Sequence, residues 1–206
     1  MLSLILFTSA IAYFLGSINT SIIVSYLMGK SDIRTQGSGN AGATNTLRVL
    51  GKGAAAIVVV GDFLKGVAAV LIARFAFSFF NVSGNEMIPQ YFAAMFVIIG
   101  HVYPVFFGFR GGKGIMTSIA TVFLLDWEIA VILLLIFIAI FLTTRYVSLG
   151  SCISSVMYPV LVYMFHSYDT YFIVTSFAAA ALAVFKHRTN IQRLVRGTES
   201  KTYFKK

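Results

Sequence analysis

Apolar residues run along this chain in long blocks, and polar residues gather in the short gaps between them. A membrane-crossing helix needs ~20 apolar residues, somewhat fewer where the bilayer is thin or deformed. The blocks at 3–28, 54–80, 89–108, 114–126, 127–142, 150–166 and 170–186 are the candidates. The expectation is an all-α integral membrane protein with seven transmembrane helices, forming a single membrane-embedded domain over 1–206. The first block has neither a basic leader nor a small-residue cleavage site, so it reads as a retained span. No repeat of fixed period and no low-complexity linker interrupts the pattern.

The blocks 114–126 and 127–142 are short. Thirteen residues at ~1.5 Å each reach only about 20 Å. Their junction, Asp126-Trp127-Glu128, has the make-up of a hairpin tip at a membrane interface, an aromatic anchor between two carboxylates. Charge decides between one span and two. If both halves cross, one set of gaps holds Glu86, Asp126, Glu128 and Asp169 with no Lys or Arg. The other collects Lys30, Arg34, Arg48, Lys52, Arg110, Lys113, Arg145 and seven cations from Lys186 to Lys206, fourteen of the sixteen in the chain. The positive-inside rule makes that side cytoplasmic, with the N-terminus outside and the C-terminus inside.

Composition agrees: 58% of the 206 residues are hydrophobic and 11% charged, against roughly 25% charged in soluble domains. The net charge of +9 sits between apolar spans rather than along one soluble face. It therefore points to anionic lipid and anionic substrates, not nucleic acid. A single cysteine, Cys152, excludes an internal disulfide and a cysteine metal cluster. Lys65 follows Asp62 by three residues inside the second block. That spacing fits either a buried pair holding helices together or a placement near an active site. Arg74, nearer the outer face, is expected to snorkel.

Three polar stretches carry the candidate chemistry. Gly37 to Asn45, followed by Arg48, combines the hydroxyls and amides of Ser38, Asn40, Thr44 and Asn45 with glycines able to fold around an anion. The alternative is a cytosolic loop in which Ser38 or Thr44 caps the next helix. His101 to Gly114 ends in Gly108-Phe109-Arg110-Gly111-Gly112-Lys113-Gly114, a candidate phosphate cradle at a helix start, or else a tight basic turn. It is not a nucleotide-hydrolysing P-loop, because three residues separate its glycines and Gly114 stands where Ser or Thr would meet magnesium. His101, inside a span, reads as structural. In the third stretch His187, Arg188 and Asn190 stand where the last span reaches the cytosol, and Lys201, Lys205 and Lys206 suit a tail lying on anionic lipid.

Paired carboxylates, an HExxH helix, a G-x-S-x-G elbow and the HxxxxD signature of coenzyme-A-dependent acyltransferases are not found. Phe106, Tyr171 and Gln192 stand five residues after the three histidines. No metal or cofactor is called for. A small transporter of phosphorylated metabolites would use the same glycines and cations, but would need a polar path and broken or repeated helices.

Together the three stretches, Gly37–Asn45, His101–Gly114 and His187–Glu199, resemble the bacterial acyl-phosphate:glycerol-3-phosphate acyltransferase family, PlsY, in order and over nearly the whole chain. The resemblance implies transfer of a fatty acyl group from acyl phosphate to the 1-hydroxyl of glycerol 3-phosphate. The products would be lysophosphatidic acid and phosphate, the first step of phospholipid synthesis, made at the cytoplasmic side of the bacterial inner membrane. It implies functional roles for Ser38, Arg48, Lys113, His187 and Asn190. Substrate contacts would come from Gly37, Asn40, Thr44, Asn45, Gly111, Gly112, Gly114 and Arg188, with Glu199 structural. The partners would be the two substrates and membrane lipid, and the basic face could dock a soluble acyl-phosphate synthase. For the proton of the attacking hydroxyl, a substrate phosphate oxygen is preferred over His187, since the sequence offers His187 no evident carboxylate partner.

Overall fold

The computed structural model describes residues 1–202, so Lys205 and Lys206 of the expected lipid-binding tail lie outside the described residues. Ten α-helices and no strand occur among the described residues. They fall into two compact units, Met1–Leu125 and the residues from Asp126 onward.

The first unit holds α1 (Leu2–Ser17), α2 (Thr20–Leu27), α3 (Ala43–Leu50), α4 (Lys52–Phe79), α5 (Met87–Val102) and α6 (Ile115–Leu125). The first apolar block is thus one candidate span of two helices, broken at Ile18 and Asn19, where the Asn19 side chain accepts from Ile22 N–H and starts α2. α1 packs on α5, and α4 packs on both α5 and α6. Small residues set these distances: a Cβ on Gly16 would overlap the Val97 carbonyl, and one on Gly100 the Tyr13 carbonyl. Close helix approach of this kind replaces the hydrophobic driving force that lipid cannot supply.

The break in the first block would leave carbonyls bare in an apolar setting, where each costs several kcal/mol. Lys65 answers that cost. Its ammonium donates to Gly16 O (3.1 Å) and Ile18 O (2.9 Å) and pairs with Asp62 Oδ1 at 2.9 Å. Thr20 Oγ1 donates to the same carboxylate at 3.1 Å, and Thr117 Oγ1 to the Asp62 carbonyl at 3.2 Å. His101 Nδ1 stands 3.6 Å from Asp62 Oδ1. The pair therefore joins α1, α2, α4, α5 and α6, as the helix-holding alternative expects. Arg74 does not simply reach outward: Nε donates to Gln90 Oε1 (3.0 Å) and Nη2 to the Leu124 carbonyl at the end of α6 (3.1 Å).

The second unit holds α7 (Trp127–Thr144), α8 (Val147–Phe165), α9 (Thr170–Lys186) and α10 (Arg188–Val195). α8 packs between α7 and α9. Asp126 caps α7 by accepting from Ile129 N–H, and His166 Nε2 lies 2.5 Å from its other oxygen.

Among the described residues five helical segments are long and apolar enough to cross a membrane, six if α9 and α10, bent by 57° at His187, count as one. α6 has eleven residues, roughly 16 Å at ~1.5 Å each, short of a bilayer core. The chain is a multi-pass, all-helical membrane protein.

Replacing Lys65 with Met should destabilise the protein by on the order of 3 kcal/mol, read as a clearly lowered thermal midpoint in detergent, because Asp62 and two carbonyls lose a shared partner. An unchanged midpoint would remove Lys65 from this role.

Candidate active site

In the first unit, two of the three polar stretches are built around one apolar plug. Ile33 and Ala41 are fully buried against Ile22 of α2, with Val49, Leu50 and Phe107 packed around them. Ile33 and Ala41 anchor the first polar loop, and Phe107 immediately precedes the glycines of the second.

Asn45 then ties the first loop to itself. Its Nδ2 donates to the carbonyls of Ile33 (3.1 Å) and Gln36 (3.0 Å), and its Oδ1 accepts from Ser38 N–H at 2.8 Å. Gly37, at φ +57°, passes so close that a Cβ would fall on Asn45 Oδ1. Ser38 and Arg48 are exposed, while Asn40 and Thr44 are half-buried. Neither Ser38 nor Thr44 caps the following helix: α3 starts at Gly42 with no side-chain cap. Asn45 and Thr46 N–H donate to Gly42 O, and no side chain caps the Ala43 and Thr44 amides ahead of them.

The second loop folds back on the end of α5. Gly111 N–H donates to Val102 O at 3.1 Å and Gly112 N–H to His101 O at 3.2 Å. A Cβ on Gly111 would enter the His101 carbonyl and Pro104, and one on Gly112 would enter the His101 ring and the Ala41 carbonyl. These glycines let the second loop lie on the first. Lys113 follows half-buried, and Gly114, at φ +84°, leads into α6 by accepting from Ser118 N–H.

Ser38, Asn40, Thr44, Asn45 and Arg48, in the first loop and α3, and Gly111, Gly112, Lys113 and Gly114, in the second loop, thus belong to two segments in backbone contact. The arrangement offers hydroxyls, the uncapped start of α3 and cations on adjoining segments of chain, a donor set for phosphate oxygens.

The third stretch lies in the second unit. His187 is buried at the bend between α9 and α10, and its Nδ1 lies 2.7 Å from Ala183 O. A ring nitrogen facing a carbonyl must carry hydrogen, so in the neutral ring Nε2 is the acceptor. Asn190, also buried, donates Nδ2 to Glu199 Oε1 at 2.7 Å. Ser148 Oγ donates to that oxygen at 2.7 Å, and Arg193 Nε to Oε2 at 2.7 Å. Glu199 is the staple of this segment, the structural role the resemblance implied. Ser148 is the member no motif pointed to. Arg188 is exposed, stacked 4.5 Å over the Phe185 ring, with Nη1 donating to Phe185 O at 3.2 Å.

Residues 6–197 match the family model described as glycerol-3-phosphate acyltransferase. A glycerol-3-phosphate acyltransferase of Clostridioides difficile is 43% identical over 96% of this chain and 95% of its own. One of Thermoanaerobacter pseudethanolicus is 46% identical over 94% and 93%. The solved glycerol 3-phosphate form of PlsY (YgiH), an integral membrane glycerol 3-phosphate acyltransferase, is similar with a TM-score of 0.86 and 36% identity, over 97% of this chain and 96% of that one. Its lysophosphatidic acid form gives 0.83 and 35% over 97% and 95%.

Burial pushes the Glu199 carboxyl up, but the hydrogen bonds from Arg193, Asn190 and Ser148 outweigh it and hold it below the usual glutamate value. The folded value being the lower one, the staple's contribution is complete above the unfolded value, ~4.3, and is lost as pH falls through the folded value. Protease sensitivity of the tail should rise over that acidic window in the wild type. In Glu199→Gln it should already be high at neutral pH; a tail equally resistant in both would contradict the staple.

Proposed function

Since the chain belongs to the glycerol-3-phosphate acyltransferase family, we propose that its acyl donor is acyl phosphate and its products are lysophosphatidic acid and inorganic phosphate. The acyltransferase activity toward glycerol 3-phosphate comes with the family. The observation that carries the finer reading is the backbone contact of two loops rich in phosphate-binding groups, Gly37–Arg48 and Gly108–Gly114.

In this reading the 1-hydroxyl oxygen of glycerol 3-phosphate bonds to the acyl carbon, the bond from that carbon to the bridging phosphate oxygen breaks, and phosphate departs. Both substrates are anionic at the polar end, so bringing them together costs repulsion. Arg48, Lys113 and the open amides of α3 offset that cost, and Ser38 adds a hydroxyl donor. Acyl phosphate is already an activated anhydride, so positioning and charge stabilisation supply most of the acceleration. The hydroxyl proton passes to a substrate phosphate oxygen, while His187, held through Nδ1, and Asn190, held by Glu199, contribute binding groups. Seven crossings, an outside N-terminus and a cytoplasmic active site at the bacterial inner membrane complete the proposal, supported by the one-sided distribution of Lys and Arg.

Purified protein given glycerol 3-phosphate with acyl phosphate or with acyl-CoA tests the donor directly. Turnover with acyl phosphate alone is expected, and turnover with acyl-CoA alone would overturn the reading. Lys113→Met should lower kcat/KM by roughly a hundredfold or more. His187→Gln should keep the wild-type pH–rate profile at reduced rate; loss of the low-pH limb, where a general base becomes protonated, would move the proton to histidine.

A further inference from the structure

Arg34 lies outside the three motifs, and by sequence it is one more cation on the positive side. Its guanidinium is committed to the protein. Nε donates to both Asp32 carboxylate oxygens at 3.0 Å, and Nη2 to Asp32 Oδ2 at 2.6 Å. Nη1 donates to the carbonyl oxygens of Phe107 (2.6 Å) and Arg110 (2.9 Å) in the second loop. A guanidinium has five N–H donors in a planar fork. These contacts use four, leaving too few for a bidentate phosphate contact.

The two carbonyls bracket the most constrained backbone of the loop. Gly108 and Phe109 both have left-handed φ, +64° and +57°, and the second is disfavoured for a residue with a side chain. Phe109 N–H donates to Pro104 O at 2.9 Å on one side, and Arg34 holds the flanking carbonyls on the other. The planar peptide between Arg110 and Gly111 is fixed at both ends, its oxygen by Arg34 and its N–H by Val102 O. That peptide immediately precedes Gly112 and Lys113.

Asp32 completes the device. Its side chain accepts from Arg34 N–H at 2.9 Å, starting the short turn Ile33–Thr35 that aims Arg34 across. The hydrogen bond from Arg34 holds the Asp32 carboxyl below the usual carboxylate range, so the pair stays ionised near neutral pH.

Resting on the proposed acyl transfer, with Gly108–Gly114 taken as the loop that holds the phosphate of glycerol 3-phosphate, we propose that Arg34, braced by Asp32, is a positioning residue for that substrate. By bridging the Phe107 and Arg110 carbonyls it sets the backbone from which Gly112 and Lys113 meet the phosphate. It also draws two carbonyl dipoles away from an incoming anion.

The test uses the full-length enzyme in vesicles, with the KM for each substrate and kcat measured separately. Arg34→Gln and Arg34→Lys should each raise the KM for glycerol 3-phosphate roughly tenfold or more, leaving the KM for acyl phosphate little changed. Lysine should not rescue, because a point-charge ammonium cannot hold a carboxylate and two carbonyls in one plane. Asp32→Asn should shift the same KM in the same direction by a smaller factor, and it decides the matter alone if the Arg34 variants do not accumulate. A wild-type KM for glycerol 3-phosphate in these variants overturns the proposal. So does a fall in kcat with both KM values unchanged, or rescue by lysine. A wild-type enzyme that does not turn over acyl phosphate with glycerol 3-phosphate overturns the underlying reading, and that failure shows before any variant is made.

Discussion

One ammonium group lets the first unit exist in the form it takes. The opening apolar segment breaks at Ile18 and Asn19, and the break exposes carbonyls that lipid cannot satisfy. Lys65 reaches two of them from α4 and neutralises Asp62 one turn away on its own helix. A buried ion pair by itself is weak evidence of stability, since desolvation offsets the attraction. Here the pair also fills backbone valences that would otherwise stay empty, and hydroxyls of Thr20 and Thr117 take up further capacity at Asp62. Its cost is offset by removing others.

From that node the influence runs upward into the loops. His101 stands beside Asp62 at the end of α5, and Gly112 lies against its ring. The second polar loop is therefore built directly on the buried charges. A larger residue at Gly111 or Gly112 would push the loop off both His101 and Ala41. The requirement for glycine here comes from packing, since a side chain at either position would meet the His101 carbonyl or ring, Pro104 or the Ala41 carbonyl.

The helices were legible because apolar blocks of span length leave little choice, and the block at 127–142 is α7, which Asp126 caps. What could not be read was which cation serves structure. Arg34, Arg48, Arg74 and Lys113 look alike as charges between apolar runs. The fold turns Arg34 onto Asp32 and two carbonyls and Arg74 onto Gln90 and the end of α6, while Arg48 is left exposed. The resemblance implies a substrate contact for Asn45, and what no pattern signalled is that its amide also ties the loop to itself through the Ile33 and Gln36 carbonyls. Ser148 carried no signal, since its meeting with Glu199 depends on a separation of 51 residues that no local pattern encodes.

A common design links these cases. Each polar segment has an internal crosslinker whose hydrogen-bonding capacity is consumed by neighbouring chain: Asn45 in the first loop, Arg34 between the first and second, Glu199 in the third segment. Fixing a loop before substrate arrives removes ordering entropy that would otherwise be lost on binding. In the proposed reaction, whose donor is already activated, that saving matters most, because positioning is then the main contribution left for the protein. Mutations at the crosslinkers should therefore act on substrate placement while the chemistry itself stays intact. The split between KM and kcat is then the natural measure of their part in catalysis.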